Sequence, residues 1–194
     1  MSKIKSALEL ALEKTAGVSV DRDAVRREER TKEGRVLAGR YLSETPPPDL
    51  KKALSEFGKE DRALVRDGLV TSLLANVTLP RYESDLGRLP KLQEALASVT
   101  GDPKAVDAVM GQVTALLGQF MDNLRMLDDQ LRERWEPRLR QKEQQLRQQT
   151  GRDVRLIADQ DPEFVKVLGD EIRNMEAQYG EVLERGKAEI KKLA

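Results

Sequence analysis

Residues 103–149 read PKAVDAVMGQVTALLGQFMDNLRMLDDQLRERWEPRLRQKEQQLRQQ, and the spacing of apolar side chains in this stretch decides the fold class. Val106, Val113, Phe120 and Leu127 recur at one heptad position, with Val109 or Met110, Leu116 or Leu117, Leu124 and Leu131 between them. Only a helix brings residues so spaced onto one stripe. The entry is written in Thr100-Gly101-Asp102-Pro103: glycine ends one helix, Asp102 caps the next, and Pro103 takes a first-turn position that needs no amide hydrogen. An unbroken helix to Gln149 would span roughly 70 Å at about 1.5 Å per residue. Pro137 is expected to kink or split it, and Gly151 to cap its end.

Outward toward the C-terminus, Asp161-Pro162 repeats the cap-then-proline start. Leu168, Ile172, Met175, Tyr179, Val182, Gly186 and Leu193 then follow alternating three-and-four spacing, and Leu183 and Ile190 widen the stripe. The short joint between the two long helices permits a reversal, so antiparallel pairing is expected. Val154 to Ala158 lacks a partner strand and reads as an extended connector. Asn123 falls on the seam, where a polar side chain fixes register at some cost in stability.

Toward the N-terminus the same rules give shorter helices. Ser2 caps a first helix with Ile4, Ala7, Leu8, Ala11 and Leu12, stopping at Gly17; a second starts at Asp21 and carries Val25, Val36, Leu37 and Tyr41. Pro46-Pro47-Pro48 reads as a stiff linker. A helical hairpin follows, from Leu50 to Phe57 and from Leu64 to Val77, and at Pro90 the chain kinks or restarts. The expected architecture is all-α: an elongated helical bundle with two long antiparallel, coiled-coil-like C-terminal helices. Its parts are N-terminal helices over 1–45, a short hairpin region over 46–100 and a long hairpin over 101–194.

Composition narrows the functional classes. Charged residues make up 35%, aromatic residues only 4%, and Lys plus Arg (34) equals Asp plus Glu (34), so no whole-molecule attraction to phosphates exists. Cysteine and histidine are both absent, which removes thiolate metal sites, the commonest general base and a familiar nucleophile. The carboxylate pairs Asp128-Asp129 and Asp159 with Asp161 read as capping or surface charge. No phosphate-binding glycine loop is present, and the glycines inside helical patterns, Gly111, Gly118 and Gly186 among them, read as points of close helix approach. No catalytic, cofactor or metal residue is assigned. Lack of cysteine, of an apolar spanning run and of a leader-like start point to a cytoplasmic protein.

Two surfaces remain for recognition. One is the seam of the last helix: Leu168, Ile172, Met175, Tyr179, Val182, Leu183 and Ile190, suited to a protein partner or a second copy. The other is a basic stripe, Arg132, Arg134, Trp135, Arg138, Arg140, Lys142 and Arg147, which could bind nucleic acid through cations and one stacking ring. Glu133, Glu136 and Glu143 interleave with it, as in an ordinary solvated helix face. A non-enzymatic scaffold or adaptor is therefore the leading expectation and nucleic-acid association the alternative.

Lys5-Ser6-Ala7-Leu8-Glu9-Leu10-Ala11-Leu12-Glu13-Lys14-Thr15, with Asp161-Pro162-Glu163-Phe164-Val165-Lys166 and Ala177-Gln178-Tyr179, resembles an uncharacterised family of bacterial helical proteins, which implies an all-helical chain and no activity. Thr150-Gly151-Arg152-Asp153-Val154-Arg155-Leu156, with Asp161-Pro162 and Leu183-Glu184, is similar to the tail of peripheral-stalk subunits of rotary ATPases and of the flagellar export stalk. There the glycine pair of those families is replaced by Lys166-Val167-Leu168-Gly169. That similarity implies a stalk-like subunit of a larger assembly.

Overall fold

In the computed structural model, residues 21–194 are described, and the expected helix between Ser2 and Gly17 lies outside them. Among the described residues there are six α-helices and two short 3-10 turns, and no strand. The helices are α1 (Arg22–Ser43), α2 (Leu50–Ser55), α3 (Lys59–Ala75), α4 (Leu89–Val99), α5 (Pro103–Thr150) and α6 (Pro162–Lys192). The all-α reading holds. Aspartates start four of them: the side chains of Asp21, Asp49, Asp102 and Asp161 each accept a backbone N–H of the first turn, satisfying donors that the helix leaves unpaired. The chain restarts at Leu89, after a 3-10 turn over Glu83–Arg88, because Pro90 fits the first turn of α4. α5 ends on Gly151, whose φ of 71° is the left-handed conformation that glycine adopts without strain; its N–H donates to Arg147 O at 2.9 Å.

Two compact units form, one running to Ser72 and the other comprising Leu73–Ala194. The division falls inside α3. In the first unit α1 and α3 cross with their backbones almost touching. A Cβ placed on Gly34 would stand 1.9 Å from Val65 O, and one on Gly68 would stand 2.1 Å from Thr31 O. No side chain larger than hydrogen fits at either position unless the helices separate. Leu37, Ala38 and Tyr41 of α1, Leu50 and Leu54 of α2, and Val65 and Leu69 of α3 are buried. Val25 and Val36 of α1 are 42% and 55% exposed. Charge fixes the crossing further: Arg26 Nη2 lies 2.7 Å and Arg30 Nε 3.2 Å from Asp61.

The second unit is built on the long hairpin. Gly186 of α6 lies against Val113 of α5, Tyr179 against Phe120, and Phe164 against Trp135. Numbers rise along one helix as they fall along the other, which is the antiparallel pairing expected. The N–H of Gly101 donates to Leu193 O at 3.1 Å and ties the end of α6 to the start of α5. Asn123 Nδ2 donates to the Tyr179 hydroxyl at 2.6 Å, so the seam asparagine has a specific partner and one register satisfies it. α4 packs on the first half of α5, where Leu92, Leu96, Val106, Met110, Leu117 and Phe120 are sealed from solvent.

Four expectations are corrected here. α5 is not split at Pro137, which is exposed; an exposed helix tolerates the lost amide bond when both flanking segments are held by packing. Gly111 and Gly118 have open space where a Cβ would stand, so they are not points of close approach, whereas Gly186, with Val113 Cγ2 at 3.0 Å, is one. Val182 is 47% exposed and lies off the seam. Leu183 and Ile190, expected to widen the stripe toward a second partner, are buried in the hairpin at 3% and 1% exposure. The seam of α6 therefore steps through Phe164, Leu168, Ile172, Met175, Tyr179, Leu183, Gly186 and Ile190. This is a four-four-three pattern, with about 3.67 residues per turn, closer to the pitch of a straight helix than a strict heptad is.

Candidate functional site

The chemically densest region is the closed end of the hairpin, where the last third of α5 meets residues 151–160 and the first turn of α6. Trp135 and Phe164 form its apolar centre, edge to face with ring centroids 5.7 Å apart and joined by Leu131 and Ala158. Trp135 is on the inward stripe because it follows Leu131 by one helical turn, and Phe164 because it precedes Leu168 by one. Leu139, Val167 and Leu168 close the margins.

Around this centre the cations of the basic stripe meet acids delivered by the returning chain. Arg132 bridges Asp128 of its own helix, at 2.8 Å, and Asp159, also at 2.8 Å, with its guanidinium 5.4 Å from the Phe164 ring. Both hydrogen bonds favour its charged form, and Arg132 in turn holds the Asp159 carboxyl below the usual carboxylate range. Arg138 stacks 4.5 Å over Trp135 and reaches Glu163 at 3.4 Å. Arg140 pairs with Glu136 at 2.5 Å, and Arg147 with Asp153 at 3.2 Å.

Asp161 is the one buried charged residue in this region. Lys142 Nζ donates to its carboxylate at 2.6 Å, the Glu163 N–H at 3.0 Å and Trp135 Nε1 at 3.4 Å. Lys142 is the largest influence holding this carboxyl down, to about 2, with the helix-cap N–H and the indole N–H adding to it. One side chain thus caps α6, neutralises Lys142 and satisfies the indole.

The connector forms no regular element up to Ile157, which is extended, while Ala158, expected within it, opens a 3-10 turn; the Leu156 N–H stitches it down by donating to Glu143 at 2.7 Å. A groove of about 680 Å³ lies beside it, with Leu139, Leu156 and Ile157 among its apolar lining and Arg155, Glu133 and Glu136 among its charged residues. Its charges are of both signs, and it presents no convergent set of one kind.

The residues expected to bind nucleic acid are therefore brought together, in a latch of ion pairs at the hairpin end whose cations stay partly exposed. Arg132, Arg138, Arg140, Lys142 and Arg147 each have a carboxylate partner, Trp135 is 5% exposed with its ring covered by Phe164 and Arg138, and Arg134 is exposed. The seam residues are brought together on α6 with the exception of Val182. Sequence reasoning missed Phe164 and the acids Asp153 and Glu163, and read Asp159 only as capping or surface charge. The available signal was their number: four acidic residues lie between Asp153 and Glu163, opposite a helix segment rich in arginine. Among the described residues no three acidic side chains converge in a way that could hold a metal ion, and no helix is long and apolar enough to cross a membrane.

Half-burial distinguishes the middle of the hairpin from its ends. Leu124 and Leu127 on α5, and Leu168, Ile172, Met175 and Tyr179 on α6, are only partly covered, while Phe120, Leu183 and Ile190 on one side and Leu131, Trp135 and Phe164 on the other are buried. Two helices in contact hide only a line of side chains, and the 3-10 turn over Glu83–Arg88 reaches α5 on one side of this stretch, where Glu83 pairs with Arg125.

The model of a family of unknown function, DUF6657, matches residues 51–192. No curated protein and no solved structure matches.

Proposed function

The chain belongs to the DUF6657 family, and from that premise we propose that it is a non-enzymatic scaffold or adaptor that works by docking a helix against the middle of its long hairpin. The observation that carries this reading is the half-covered stripe of Leu124, Leu127, Leu168, Ile172 and Met175 between two closed ends. A third helix laid along it would complete a bundle, and each aliphatic side chain moved from partly buried to fully buried adds at most about 1 kcal/mol, roughly a third of the value for full burial. A helical segment of another protein and a second copy of this chain both meet that requirement. The stripe is held rigid for such a role by the latch at one end and by the Asn123–Tyr179 bond near the other.

Light scattering across a range of concentrations, together with recovery of bound proteins from the native cell, tests this when wild type is compared with Met175→Glu. Met175 is only partly buried, so the variant is expected to keep its helicity by circular dichroism while losing self-association or a retained partner. A wild-type protein that stays monomeric at every concentration, and retains the same proteins as Met175→Glu, refutes the proposal.

A further inference from the structure

We draw no further inference here: the strongest candidate, the groove of about 440 Å³ between α1, α2 and α3 with Val36, Ala53 and Phe57 in its apolar lining, carries none because nothing in the structure shows what covers it.

Discussion

Val182 and Leu183 are neighbours in sequence with opposite roles in the seam, and truncating each separately tests the packing of α6 directly. Leu183 is 3% exposed. Replacing it with Ala removes three carbons, worth about 0.8 kcal/mol each, hence roughly 2.4 kcal/mol of lost burial. Incomplete collapse of the space left behind brings the expected cost to about 3 kcal/mol. Val182, 47% exposed, loses two carbons of which only about half the surface is withdrawn from water on folding. That costs about 0.8 kcal/mol, and the better helix propensity of Ala returns about 0.5 kcal/mol, for a net effect close to zero. Urea titration followed by far-ultraviolet dichroism and by the fluorescence of Trp135, the sole tryptophan, measures both. If Val182→Ala costs as much as Leu183→Ala, the seam follows the strict heptad and the packing described above is wrong.

The glycines separate in the same manner. Gly34→Ala and Gly68→Ala each place a methyl group within about 2 Å of backbone and are expected to lower thermal stability markedly, whereas Gly111→Ala and Gly118→Ala, facing open space, should raise it by up to about 1 kcal/mol each in chemical denaturation. Because the Asp161 carboxyl is held near 2, below its usual 3.8, its contribution is fully present above about pH 4 and is lost as the pH falls through 2. Between those limits the wild type should lose stability more steeply than Asp161→Asn, as read from Trp135 fluorescence in denaturant. If the basic stripe is a latch, binding to mixed single- and double-stranded probes at physiological salt should be no tighter than about 10 μM by fluorescence anisotropy, within the nonspecific range. Submicromolar, steeply salt-dependent binding would favour the nucleic-acid reading instead.

Much of the fold was legible because helical periodicity and aspartate caps are local signals. Asp21, Asp49, Asp102 and Asp161 start the helices they were expected to start, or in the case of Asp49 the one whose first apolar residue follows it. What failed depended on which of two nearly equivalent spacings the seam follows. Val182 lies three residues after Tyr179 and Leu183 four, and both steps keep a residue near the stripe; only the cumulative drift against a real partner chooses between them. The glycines failed for a related reason. Gly34 and Gly68 are indistinguishable in sequence from Gly111 and Gly118, yet only the first two lie at a crossing, and a crossing is a property of two helices that neither contains alone. The latch was half legible: the cations were found, and their partners were not, because the acids lie after a reversal of the chain.

That reversal explains why a surface rich in arginine need not be a binding surface. An exposed ion pair contributes about 0 to 1 kcal/mol, so no single contact at the hairpin end fixes the turn. Arg132, Arg138, Lys142 and Arg147 of α5, however, all meet acids of the returning segment, at Asp159, Glu163, Asp161 and Asp153. A chain that reversed at another register would leave Lys142 facing no carboxylate and would strand the indole N–H of Trp135 in an apolar site, where an unmet donor costs about 1 to 3 kcal/mol. The charges thus act mainly by penalising alternatives, while Trp135 and Phe164 supply the favourable burial. The Asn123–Tyr179 bond applies the same logic farther along the hairpin. With register set in both places, the half-covered stripe between them is held in one arrangement, which is what a surface that recruits a helix requires.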